Sequence, residues 1–180
     1  MRLFIGIVVP PDVRTRLQEA WTAVTSCPAN CRQIDPTNWH FTLAFLGQVP
    51  EQNLEPLVHL IEKAVEHPPK GSFSFTEFET FPSKHPSYLI ARANAEPRDN
   101  WMGFIQHLRE MVSVAAPSID RKPWVPHVTI ARAKKGRLLP RWSNPIAPFE
   151  WTPHELTLIR STPTQNGSLY TDLHAFPFNL

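Results

Sequence analysis

A histidine and a threonine stand two residues apart inside an apolar run at two places in this chain. The first is His40-Phe41-Thr42-Leu43-Ala44-Phe45-Leu46-Gly47 and the second is His127-Val128-Thr129-Ile130-Ala131-Arg132. Successive side chains of an extended strand alternate between its faces, so each histidine projects beside its own threonine. Burying such a pair costs free energy unless both groups find partners. The bland account is two core strands whose histidines make ordinary hydrogen bonds. Against chance stands the wider match, His–apolar–Thr–aliphatic–Ala, at comparable places in the two halves. Polar pairs set into two of the most apolar strands break a local rule, and function tends to sit at such breaks. The two strands are therefore expected to lie side by side and form one cleft holding two imidazoles and two hydroxyls.

The motifs lie about half a chain apart, which suggests a duplicated unit. We expect a single domain over 1–180, built of two pseudo-symmetric lobes with motifs at 40–43 and 127–130, the chain crossing between lobes near 82–86. Leu3 to Val9 is a buried strand by its unbroken apolar run. Pro11-Asp12 opens a helix with Val13, Leu17, Ala20, Trp21 and Val24 on one face, ended by Pro28. A second helix carries Leu54, Leu57, Val58, Ile61 and Val65. Alternation predicts strands over 72–81 and 88–93. A third helix places Trp101, Ile105, Leu108 and Val112 on one stripe, with Asn100 as N-cap. The span 140–148 reads as a proline-broken loop. Strands over 154–161 and 168–176 pair through Asn166-Gly167, since both residues accept positive φ. The class is α+β.

At 180 residues the chain can bury a sizeable core, and its 42% apolar and 19% charged content is that of a soluble globular protein. The apolar run near the N-terminus is too short to span a membrane and lacks a small-residue cleavage site. A cytoplasmic protein without membrane association is the expectation. Cys27 and Cys31 have no second ligand pair nearby, so they are expected to be bystander thiols rather than a zinc site. The net charge of +2 hides an asymmetry: Arg121, Lys122, Arg132, Lys134, Lys135, Arg137 and Arg141 form a block without an acidic residue. A basic block is often only a solvated face. This one flanks the second motif, which favours a phosphate-bearing ligand.

Asn38-Trp39-His40-Phe41-Thr42-Leu43-Ala44-Phe45-Leu46-Gly47 and Pro126-His127-Val128-Thr129-Ile130-Ala131-Arg132 resemble the paired signatures of the two-histidine phosphoesterases. Within them the chain most resembles the RNA 2′,3′-cyclic phosphodiesterases, also described as 2′-5′ RNA ligases. The likeness extends to Arg2-Leu3-Phe4-Ile5-Gly6-Ile7 and to the Ser161, Gly167 and Tyr170 pattern. Trp39 and Phe41 depart from it, since smaller aliphatics often flank that histidine. The resemblance implies a bilobal pseudo-twofold fold, with antiparallel sheets lining a central cleft and helices packed outside.

It also implies metal-independent opening of RNA 2′,3′-cyclic phosphate ends to a terminal 2′-phosphate, together with reversible, ATP-independent 2′-5′ RNA ligation. His40 would donate a proton to the leaving oxygen and His127 would accept one from water; the residues alone do not distinguish these roles. An imidazole with a pKa of about 6.5 suits either task. Thr42 and Thr129, about 6.6 Å from their histidines along a strand, would hold the non-bridging phosphate oxygens. In a regular strand Arg132 faces away from His127 and Thr129, which would make it part of a structural ion pair, whereas a bulge would bring it round to phosphate. Trp39, Phe41, Trp124 and Tyr170 are candidates for stacking on a base, with core packing the expectation for at least two of them. No cofactor and no metal are expected, and the protein is expected to act as a monomer on RNA ends. Two other readings stay open: a phosphodiesterase of small cyclic nucleotides or ADP-ribose cyclic phosphate, and a non-catalytic RNA-end binding module.

Overall fold

A computed structural model describes residues 1–24, 26–165 and 167–178. In chain order the elements are β1 (Arg2–Val8), α1 (Pro11–Thr22), β2 (Cys31–Gln33), β3 (His40–Gln48), α2 (Leu54–Ala64), β4 (Ser72–Phe81), β5 (Tyr88–Glu96), α3 (Arg98–Val112), β6 (His127–Ala133), β7 (Ser143–Trp151), β8 (Glu155–Thr164) and β9 (Gly167–Pro177). The fold is α+β, and the strands form one antiparallel sheet ordered β7-β4-β5-β6-β3-β1-β8-β9, with β2 beside β6. Counted outward from its centre, β6 matches β3, β5 matches β1, β4 matches β8, and β7 matches β9. The two middle strands meet at one register pair, Phe41↔Val128.

One face of the sheet is apolar and the helices cover it. Phe41 and Phe73 stack at 4.5 Å between ring centroids, and Trp101 of α3 lies 4.5 Å from Phe73. Trp21 of α1 meets Phe78 edge-on at 5.1 Å. Leu57 and Ile61 of α2 join the same core. The anticipated stripe on α3, Trp101, Ile105, Leu108 and Val112, is wholly buried. His40, Thr42, His127 and Thr129 alternate with this face and are half-buried on the other.

The structure corrects several expectations. The span 140–148 is not simply a loop, because β7 begins at Ser143. Pro145 and Pro148 are tolerated there since β7 is an outermost strand whose free side needs no donors. The two register pairs Phe75↔Phe149 and Glu77↔Pro145 leave 146–148 bulged against Thr76. Helix α3 starts at Arg98 behind Pro97, so Asn100 is inside its first turn and donates to the Lys70 carbonyl at 3.1 Å instead of capping. Helix α1 stops at Thr22, well before Pro28, and Cys31 opens the short strand β2; both cysteines are free thiols. Residues 82–86 link the paired strands β4 and β5, so they do not carry the chain between the two halves of the sheet. Asn166 of the anticipated turn lies outside the described residues; β8 and β9 pair from Thr164↔Gly167 onward.

Candidate active site

The single bridge at the sheet centre fixes the geometry of the motifs. Carried one residue either way, the Phe41↔Val128 register sets His40 opposite Thr129 and Thr42 opposite His127. Directly opposed residues of an antiparallel pair share a face, about 4.5–5.5 Å apart. The four side chains are thus the corners of a rectangle, with the histidines on one diagonal and the threonines on the other.

Each motif strand then bulges at the same point. Ala44 pairs with Ile5 and Thr42 with Gly6, which leaves Leu43 unmatched. Ala131 pairs with Leu89 and Thr129 with Ile90, which leaves Ile130 unmatched. Two consecutive buried residues follow from each bulge, Leu43-Ala44 and Ile130-Ala131. The alternation is thereby reversed, and Phe45 and Arg132 turn onto the cleft face. Gly6 is required beside the first bulge, because a Cβ there would lie 2.7 Å from the Phe41 carbonyl oxygen.

The histidines are held alike. Nδ1 of His40 lies 2.7 Å from the Asn38 carbonyl, and Nδ1 of His127 lies 2.7 Å from the Val125 carbonyl. A carbonyl oxygen only accepts, so each Nδ1 carries the hydrogen and each Nε2 is the nitrogen left for proton exchange. Burial, opposed by the Asn38 hydrogen bond and reinforced by His127 and Arg132, pushes His40 down to about 4. Burial also lowers His127, opposed by the Val125 bond, with Arg92 lowering and Glu79 raising it further. Arg92 stands directly opposite His127 on β5 and is paired with Glu79. At the matching place beside His40 is Val8. Both imidazoles are neutral at pH 7 in the free protein, and their surroundings differ.

His40, Thr42, Thr129, Arg132 and Tyr170 line one cavity of about 140 Å³, together with Ser161 and Arg2. Tyr170 meets the His40 ring edge-on at 5.1 Å, and its hydroxyl accepts from Arg132 Nη2 at 3.4 Å. The ring of Phe81 lies 5.5 Å from that of His127. Three aromatic candidates belong elsewhere. Phe41 is 0%, Trp39 2% and Trp124 5% exposed, all in the core, so they have no open face for a base. The ion pair of Arg92 with Glu79 carried no signal in the sequence.

Beyond the bridge, β3 has no strand on its β6 side among the described residues. Side chains and a loop take that place. Trp124 Nε1 donates to the Thr42 carbonyl at 3.0 Å, Arg109 donates twice to the Leu43 carbonyl at 3.0 and 2.8 Å, and the Asp120 amide donates to the Phe45 carbonyl at 2.9 Å. Among the described residues no group of three or more His, Cys, Asp or Glu side chains is arranged to hold a metal ion. No helix among them is long and apolar enough to cross a membrane.

Residues 9–165 match the model of the 2′-5′ RNA ligase superfamily. The chain belongs to the 2′-5′ RNA ligase superfamily. A relative from Thermus thermophilus named RNA 2′,3′-cyclic phosphodiesterase is 31% identical, over 98% of this chain and 89% of the relative. One of the same name from Thermotoga maritima is 29% identical over 99% and 96%. A crystal structure of a Thermus thermophilus protein superposes with a TM-score of 0.82 at 28% identity, covering 99% of this chain and 98% of that one. Escherichia coli LigT complexed with 3′-AMP shares the superfamily fold, with a TM-score of 0.75 at 22% identity and coverage of 99% and 98%.

Proposed function

We propose that this protein hydrolyses 2′,3′-cyclic phosphate ends of RNA to a terminal 2′-phosphate by acid–base catalysis between His40 and His127. The observation that carries the reading is the diagonal placement of the two imidazoles across a rectangle completed by Thr42 and Thr129. Opening a cyclic phosphate needs water to attack phosphorus on one side while a ribose oxygen leaves on the other. Two proton carriers at opposite corners suit that line, and the two hydroxyls at the remaining corners suit the non-bridging oxygens, where charge accumulates. The names of the relatives support the same substrate.

His127 takes the proton of the attacking water as the new P–O bond forms. His40 gives its proton to the ribose 3′-oxygen as the P–O3′ bond breaks, leaving phosphate on the 2′-oxygen. This division follows the family resemblance. One imidazole must begin protonated although burial keeps both neutral in the free protein. The anionic phosphodiester supplies the missing field, because a negative charge within a few ångströms favours the imidazolium. Arg132, turned inward by its bulge, adds a planar guanidinium at the same phosphate. The same steps with an RNA 5′-hydroxyl attacking in place of water would join two ends through a 2′-5′ linkage without ATP, the P–O3′ bond again being the one that breaks. The test is incubation with an oligonucleotide bearing a defined 2′,3′-cyclic phosphate. A 2′-phosphate product is expected. A 3′-phosphate would reverse the regiochemistry, and substrate bound but released unchanged would show a binding module.

A further inference from the structure

The cleft continues past Arg132 into an arm of about 230 Å³ lined by Arg32, Asp35, Arg132, Gly167, Ser168 and Tyr170. Arg32 and Arg132 are directly opposite one another on β2 and β6. Like charges in that position repel and weaken the pairing of two strands. Each guanidinium also reaches toward β9: Arg132 to the Tyr170 hydroxyl, and Arg32 to Gly167, where even a Cβ would lie 2.9 Å from its Nη2. Ser168, between those two contacts, lines both the arm and the catalytic cavity. The Nε of Arg132 is buried without a hydrogen-bond partner among the described residues, a costly arrangement that an anionic oxygen would relieve. Asp35 is the only acidic residue lining the arm among the described residues. Its Oδ1 accepts from the Thr37 amide and hydroxyl at 2.9 and 2.6 Å, so the lining carries two guanidinium groups beside one carboxylate that is already hydrogen-bonded.

A second exit runs past His40 and Tyr170 along Thr37, Leu169 and Asp172. Asp172 places a carboxylate on that path and no arginine or lysine among the described residues lines it, so a polyanion is better received on the Arg32 side. Arg132 borders both the catalytic cavity and the arm, so a chain of phosphates entering the arm would pass it first.

Building on the proposed action at cyclic phosphate ends, we infer that this arm is a second anion subsite. It receives the phosphodiester one nucleotide upstream of the reacting end, between Arg32 and Arg132. The substrate class is then an oligoribonucleotide, and a mononucleotide fills only half of the site.

The test is binding of a mononucleotide and a dinucleotide that both end in a 2′-phosphate, measured by calorimetry on the wild type, Arg32→Gln and Arg32→Lys. The wild type is expected to prefer the dinucleotide by about tenfold or more. Arg32→Gln should collapse that preference and reduce the log–log salt slope of dinucleotide binding by about 0.7. Arg32→Lys, which keeps the charge, should restore part of it. Equal binding of the two ligands by the wild type, or a preference untouched by Arg32→Gln, would overturn the subsite. Turnover of a mononucleotide 2′,3′-cyclic phosphate by the wild type, measured alongside, reports separately on the catalytic reading.

Discussion

Arg109 of α3 holds the carbonyl of Leu43, the residue at which β3 bulges, through two hydrogen bonds of 3.0 and 2.8 Å. Its Nη1 donates at 2.8 Å to the Lys122 carbonyl in the loop leading to β6. A single guanidinium thus joins the strand of the first histidine to the approach of the second. Replacing Arg109 with Met leaves two carbonyls short of donors. Stability should fall by about 1–3 kcal/mol. Because the corners of the rectangle shift, kcat should drop by about tenfold to a hundredfold. Thermal melts and steady-state kinetics on the same sample check both effects, and a melt shift without a kinetic one would confine Arg109 to a structural role.

His40→Ala and His127→Ala should each lower turnover of a cyclic-phosphate oligonucleotide by about 10²–10⁴-fold. On the proposed mechanism, in which two imidazoles supply both proton transfers, EDTA should leave the wild-type rate unchanged. Strong inhibition by EDTA would sink that mechanism.

Acid should destabilise the fold through the same two residues. His40 is held down to about 4 in the folded protein, against an ordinary 6.5, and His127 is also lowered. Between those values the unfolded chain binds more protons, so stability is full above about pH 6.5 and declines as pH falls toward 4. Chemical denaturation between pH 4 and 8 should show this slope, and His40→Ala should flatten it. Phosphate ligands should make it shallower by favouring the protonated form in the folded state.

Tyr170→Phe should separate the two contacts of that ring. The phenyl edge still walls His40, while the acceptor for Arg132 is lost. KM should rise by about twofold to tenfold with little change in kcat. Tyr170→Ala should lower kcat as well. If Tyr170→Phe matched Tyr170→Ala, the hydroxyl would matter for more than orienting Arg132.

Much of the candidate site was legible because strand alternation is a local property. It paired His40 with Thr42 and His127 with Thr129, and the same parity sends Phe41 to the opposite face, where it is buried. Trp39 and Trp124 illustrate the limit: aromatic identity says nothing about whether a ring meets solvent or the core. The orientation of Arg132 was open because a bulge is a mismatch between two strands and has no signature within one. β2 is too short to show a period, and the prolines of β7 mask a strand that needs donors on only one side. The expected duplication reappears as a strand order that matches outward from the centre, with β1–α1–β3 corresponding to β5–α3–β6. The crossing point was misplaced because the half of the sheet bearing His40 is assembled from segments far apart in sequence.

That discontinuity has a consequence for how the protein is made. The half bearing His127 comes from one internal run, β4 to β7, whereas the half bearing His40 needs β1 and β3 joined by β8 and β9. Ser161, Ser168 and Tyr170 of the cleft arrive with those later strands. A nascent chain therefore carries both histidines long before it can shape a pocket around them. Turnover should therefore appear only in chains long enough to seat Tyr170 beside His40.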